Sequence, residues 1–204
     1  MSSAADRVWV LRHGESTANV EGVIVSAPGR RALEEVGLTA CGREQAREAA
    51  AAARAQGLGA HTLVITSDFA RARQTAEEFA AGLGAAAPRV DERLRERGFG
   101  AHEEGPTTAY DEVWGRDRAR AAHPDGVEPV AEVASRVLAA LAAADEEVTR
   151  GTDVVLVAHG DVLQIALALG AGRDPHDHRE VPHLGNAELR ELGPGRALAP
   201  GTTC

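Results

Sequence analysis

The sequence predicts an α/β domain with a mainly parallel sheet covered by helices on both faces. One pattern in the sequence leads to this. Short β-branched runs, RVWVL (7–11), TLVIT (62–66) and DVVLVA (153–158), alternate with longer stretches of helical periodicity. Such alternation is the pattern of parallel strands buried beneath crossover helices. The length of 204 residues fits one domain and is short for two, so a single domain over 1–204 is expected.

Taken in order, RVWVL reads as a buried strand, with Arg12, His13 and Gly14 at its end. Thr39 is a suitable N-cap for a helix from about Cys41 to Gln56, stopped in the region of Gly57 and Gly59. TLVIT is the second strand, followed by a helix from about Phe69 to Ala81 that ends near Gly82. A short strand is expected at 89–90, before the polar segment DERLRERGFG. Residues 98–129 carry glycines, prolines and charges, with one helical piece around 109–122. They read as a loop excursion that either covers a site or is a solvated connection. Val130, Val133, Ala134, Val137, Leu138 and Leu141 recur at helical spacing, which gives an amphipathic helix ending by Gly151. DVVLVA is the most strand-like run in the chain. A helix over 161–169 follows it, and a late edge strand is expected at 187–192.

Composition narrows the function classes. The formal net charge of -9 argues against a nucleic-acid partner. An acidic chain still binds an anion if a few arginines converge in a pocket. Lysine is absent and aromatics are few, so Val, Leu, Ile and Ala must build the core. Cys41 and Cys204, the two cysteines, make neither a disulfide framework nor a CxxC metal pair. No apolar run reaches membrane-spanning length and the segment MSSAADR lacks a signal-peptide core, so a cytoplasmic location is expected. Nothing in the sequence speaks to oligomeric state.

In sheets of this kind ligands bind beyond the carboxyl ends of the strands. Three predicted strand ends carry chemistry there: Arg12-His13-Gly14, then Thr66-Ser67 with Arg71 one turn into the next helix, then His159-Gly160. Each feature alone has a structural explanation. A lone histidine after a strand is commonly a hydrogen-bonded structural residue, and a lone arginine on a helix commonly serves an ion pair. Their shared topological position points instead to one anion site. Two guanidinium forks neutralise the equatorial oxygens of a phosphoryl group in transfer, and a neutral imidazole is a competent nucleophile toward phosphorus. Gly14 lets backbone approach closely beside His13.

LRHGESTAN (11–19), GLTACGREQA (37–46), TSDFARARQTAE (66–77), LRERGFG (94–100) and VAHGDVLQI (157–165) together resemble the histidine phosphatase superfamily, the phosphoglycerate-mutase-like branch 1. The motifs stand in the family's order and span roughly residues 7–192. The resemblance implies a three-layer α/β/α sandwich in which His13 is transiently phosphorylated. It implies that Arg12, Arg71 and His159, with Gly160, line the phosphate pocket, and that Asn19 makes a further phosphate contact. Glu96 matches the acid that protonates the leaving oxygen and later activates water. The family reaction uses neither metal nor cofactor, and the partner implied is a small phosphorylated metabolite.

A poor leaving group needs such an acid, and Glu92, Glu96, Glu103 and Glu104 all lie in the region. Glu96 is chosen on the family pattern. Two departures stand out. Asp68-Phe69 follows Ser67 where Ser-Pro is common, and Asp68 is read as the cap of the helix from Phe69. FGAHEEG (99–105) has one residue more than the usual form, which leaves the alignment of His102, Glu103 and Glu104 open.

His176, His178 and His183 could be read as metal ligands but lack a clear fourth, so a solvated loop is preferred. His61, His102 and His123 are placed at the surface, and Arg73 is expected to pair with carboxylates. Trp114 and Tyr110 either pack the 98–129 excursion onto the body, the preferred reading, or shape the pocket. Phosphatase is preferred because mutases of the glycolytic type usually carry longer insertions. A mutase and a catalytically silent phosphate-binding module remain as alternatives.

Overall fold

The computed structural model describes residues 7–193. Strands β1 (Val8–Arg12), β2 (Leu63–Thr66), β3 (Arg89–Val90), β4 (Val154–Ala158) and β5 (Leu189–Glu191) form one sheet in the order β3-β2-β4-β1-β5. β1, β2, β3 and β4 run parallel, and β5 closes the β1 edge antiparallel. Cys204 lies outside the described residues, while Cys41 is exposed.

The helices among the described residues are α1 (Thr17–Glu21), α2 (Ala40–Ala55), α3 (Ala70–Leu83), α4 (Ala109–Arg118), α5 (Val130–Thr149) and α6 (Gly160–Gly170). Side chains alternate across a strand, so each central strand feeds two cores. Val8, Val10, Val154, Leu156 and Ala158 face α5 and α6, whereas Trp9, Leu11, Val64, Val155 and Val157 face α2 and α3. The result is the expected three-layer arrangement. Among the described residues no helix is long and apolar enough to cross a membrane.

Sheet register places the site. Arg12 pairs with Ala158 and Thr66 with Val157, so β1, β2 and β4 end side by side. His13, Ser67 and His159, each the next residue, are therefore neighbours by construction. His13 N–H continues the ladder to the carbonyl of Ala158, and Ser67 N–H to that of Val157.

Thr39 caps α2 as expected, its hydroxyl accepting from Gly42 N–H at 3.0 Å. Gly42 also lets this end of α2 press on the loop after β1. A Cβ there would lie 2.1 Å from the Glu15 carbonyl, and one on Gly14 2.4 Å from the Gly42 carbonyl. Close backbone contact thus braces His13 from behind.

Several boundaries differ from expectation. α3 ends at Leu83, next to the expected stop, but Gly82 is not the residue that ends it. That glycine sits inside the helix against α2, where a Cβ would meet Ala50 Cβ at 2.6 Å, and the chain turns at Gly84 with φ of 70°. Asp68 does not cap α3; Phe69 occupies that position without a side-chain cap, and Asp68 instead receives Arg95 in a two-oxygen pair. α4 ends at Arg118, shorter than the 109–122 expectation. α1, a π-helical turn at Arg31–Glu35 and a helical turn at Pro175–Glu180 are too short for periodicity to reveal.

Candidate active site

His13 lies at the centre of the strand-end cluster and is 4% exposed. Its Nδ1 is 2.8 Å from the carbonyl of Gly14. A carbonyl only accepts, so Nδ1 carries the proton and Nε2 holds the free lone pair. Arg71 donates to that Nε2 through Nε at 3.2 Å. Burial, then the charges of Arg71 and Arg12, pull the imidazole well below its ordinary range, against the Gly14 carbonyl. The ring is therefore neutral at pH 7.

Arg71 is buried at the first turn of α3. Its Nη2 donates to the Val25 carbonyl at 2.9 Å, and its Nη1 has no partner among the described residues. Arg12 reaches the Leu184 carbonyl at 2.9 Å and the ring of His183 at 3.3 Å through Nη1, and its Nε is likewise unpartnered. Gly160 lies against the Arg12 guanidinium, where a Cβ would stand 3.9 Å from Cζ. Buried guanidinium donors without acceptors are a demand for an anion.

His159 packs edge-on against His13, with ring centroids 5.3 Å apart, and against Phe69 at 5.1 Å. Its Nε2 is 2.9 Å from Ser67 Oγ, and Nδ1 is unpartnered. Burial, then Arg71 and His13, hold this ring well below the usual histidine range as well.

Glu96 follows the turn at Glu92–Leu94 and accepts from Arg97 N–H at 2.9 Å. Burial and then the charge of Asp161 raise its carboxyl to about 7, opposed by Arg71 and Arg12. It is thus close enough to the two arginines to feel both charges. Of its rivals, Glu92 is exposed beside Arg95, and Glu104 is exposed near Arg31. Glu103 binds Ser26, accepting from its N–H and hydroxyl, which ties the loop after α1 to the 98–129 segment.

Asn19 stands differently from the arginines. It is exposed, and its side chain closes a capping box with Ser16 at α1. Asn186 Nδ2 joins it at 3.4 Å and donates to the His13 carbonyl at 3.0 Å. The motifs do not by themselves single out Asn186, Ser67 as a partner of His159, or Asp161. Two of these stand inside quoted motifs, beside Arg71 and His159, and that adjacency was the available signal.

Asp161 is buried and binds Trp114 Nε1 at 3.0 Å and Arg97 Nη1 at 3.4 Å. Arg97, fully buried, forks onto Asp117 of α4 at 2.7 and 2.9 Å and donates to the Glu128 carbonyl. Segment 98–129 is therefore anchored to the body, and Trp114 and Tyr110 both pack it down and stand at the pocket. Burial, then the nearby charges of Glu96 and Asp161, raise the Tyr110 phenol.

The remaining histidines and Arg73 correct several expectations. His178 is not solvated but fully buried, its Nδ1 facing the Pro175 carbonyl. His176 pairs with Asp174 and His183 with Arg12, so the three rings diverge. Among the described residues no group of three or more His, Cys, Asp or Glu is placed to hold a metal ion. His123, expected at the surface, has a side chain only 8% exposed, bonded to Asp117. Arg73 meets the Leu33 carbonyl rather than a carboxylate.

The chain is similar to known proteins over most of its length. The model of the "Histidine phosphatase superfamily (branch 1)" matches residues 8–197. "Probable phosphoglycerate mutase GpmB" of Yersinia enterocolitica is 33% identical over 193 residues, covering 91% of this chain and 84% of that protein. Its Enterobacter sp. counterpart is 35% identical over the same length and shares. Among solved structures, mycobacterial glucosyl-3-phosphoglycerate phosphatase Rv2419c with VO3 superposes with a TM-score of 0.71 at 28% identity, covering 92% of each chain. The α-ribazole phosphatase of Shigella flexneri, at 23% identity and TM-score 0.67 over 90% of this chain and 88% of that one, shares the fold.

Proposed function

Because the chain belongs to the histidine phosphatase superfamily, branch 1, we propose that it hydrolyses phosphomonoesters of small metabolites through a phosphohistidine on His13. The observation that carries this reading is the state of His13: buried, neutral, protonated on Nδ1, with Nε2 directed at Arg71.

In the first step Nε2 attacks phosphorus and the bond from phosphorus to the ester oxygen breaks. Glu96, protonated up to about pH 7, gives its proton to the leaving oxygen. The Gly14 carbonyl holds the Nδ1 proton while the ring carries the phosphoryl group. Arg12, Arg71 and His159 donate to the equatorial oxygens, and arriving negative charge favours the protonated form of His159. In the second step the Glu96 carboxylate takes a proton from water, the water oxygen attacks phosphorus, and the N–P bond breaks to release phosphate. Asn19, exposed and held by Ser16 and Asn186, contacts the phosphoryl group at the pocket rim. The charge neutralisation comes from arginine and histidine, so no metal enters the scheme. Residues 98–129 act as the cover.

The curated relatives' names favour a second reading, transfer of the phosphoryl group to another hydroxyl rather than to water. Phosphate release separates the two. Wild type and His13→Ala are assayed on a nitrophenyl ester and a panel of metabolite phosphates in excess chelator. Phosphate release that survives chelator and vanishes in the variant supports the proposal. Phosphoryl exchange between hydroxyls without release supports the mutase, and release that persists in His13→Ala refutes the nucleophile.

A further inference from the structure

Arg179, in the helical turn Pro175–Glu180, differs from the arginines around it. Arg173 pairs with Glu180, and Arg120 with Asp174 and Asp177. Arg179 is half-buried and lies 3.7 Å over the indole of Trp114. Among the described residues no carboxylate is within ion-pair distance of it and no acceptor takes its N–H groups. The nearby acid is already engaged, because Asp161 receives Trp114 Nε1 and Arg97.

The surroundings place this guanidinium at the phosphate pocket. The segment after the turn folds over Arg12, which donates to the Leu184 carbonyl and meets His183. The charge of Arg179 is felt at both Arg12 and His183, where it disfavours protonation. Trp114 in turn stacks with Tyr110, centroids 5.1 Å apart and planes within 7°, and Tyr110 neighbours Glu96 and Arg71. Tyr110, Trp114 and Arg179 thus form one wall, and Tyr110 sets it near Glu96, the acid expected to protonate the leaving oxygen.

We propose that Arg179, held flat on Trp114, binds a second acidic group carried by the alcohol portion of the substrate, a carboxylate or a second phosphate. The inference rests on the phosphatase reading above. A stacked guanidinium keeps its plane while its N–H edge stays free to fork onto two oxygens. Partial burial strengthens such a charge-assisted bond relative to a solvated one. An anion there also offsets the repulsion that Arg179 exerts on Arg12, adding to the charges of Glu96 and Asp161 that already act on Arg12.

The test is kcat/KM for propyl phosphate, its analogue with a terminal carboxylate and its analogue with a terminal second phosphate. Wild type is compared with Arg179→Gln and Arg179→Glu, each checked for an unchanged circular dichroism spectrum. The wild-type enzyme is expected to prefer one charged analogue by about tenfold or more, as a charge-assisted bond allows. The preferred analogue tells carboxylate from phosphate. The ratio should fall to about one in Arg179→Gln and invert in Arg179→Glu. Turnover of propyl phosphate with no preference in wild type, or a preference that survives both variants, overturns the subsite alone. Absence of turnover on every ester overturns the phosphatase reading itself.

Discussion

Arg71 donates its Nε–H to Nε2 of His13 across 3.2 Å, so the lone pair expected to attack phosphorus is already aligned on the arginine expected to hold the phosphoryl oxygens. One lone pair cannot serve both. As the phosphoryl group enters, the Nε–H must pass from the imidazole to a phosphoryl oxygen, joined by the unpartnered Nη1. The nucleophile is freed by the group it attacks.

Arg71→Lys tests this coupling. An ammonium keeps the charge but cannot reach the Val25 carbonyl and His13 from one rigid plane. We expect kcat/KM to fall roughly hundredfold or more, the scale seen when one oriented donor is removed. A loss of less than about threefold, on steady-state kinetics with a nitrophenyl ester, would show that charge alone suffices.

Glu96 is expected to set the alkaline limb of the pH profile. Its carboxyl is raised from the usual 4.5 to about 7, so the acid form persists up to that pH and is lost above it. For an alkyl phosphate, kcat/KM should therefore decline as pH rises through about 7. Glu96→Gln should remove the limb and lower alkyl-ester turnover by roughly 10²–10⁴-fold, while a nitrophenyl ester, which leaves unaided, loses much less. Asp161→Asn leaves the burial of Glu96 but removes the charge that adds to it in holding the proton, so the same limb should move to lower pH. Equal losses on both esters in Glu96→Gln would contradict the assignment.

The Arg97–Asp117 pair, with side chains 0% and 1% exposed, fastens α4 to the segment carrying Glu96. Arg97→Met leaves Asp117 and Asp161 buried without their cation and should lower unfolding stability by about 3–5 kcal/mol. Urea denaturation measures it. A loss below about 1 kcal/mol would mean the pair is not the fastening that its burial implies.

The fold was legible in the sequence because its strands are apolar runs and its long helices carry clear periodic stripes. β1, β2 and β4 stand within a residue of the expected positions. Residue chemistry at the strand ends then located His13, Arg12, Arg71 and His159, because parallel register brings equivalent positions together without any long-range information. Legibility ended where a contact depends on the path of a loop. Asp68 read locally as a cap, yet Arg95 reaches it from 27 residues away. His178 and His123 read as solvated in polar segments, yet α4 and α6 close over them through Asp117 and Gln164. Asp161 carried no local mark of its role, since only the folded chain sets it beside Glu96, Trp114 and Arg97.

The central claim is that His13 carries the phosphoryl group, and the most direct measurement is rapid mixing with substrate followed by alkaline quench and peptide mass spectrometry. A phosphoryl adduct is expected on the peptide containing His13, stable to base, labile to acid and absent from His13→Ala. Steady turnover with the adduct on another residue, or with none at any mixing time in the Glu96→Gln variant that should prolong it, would contradict the account.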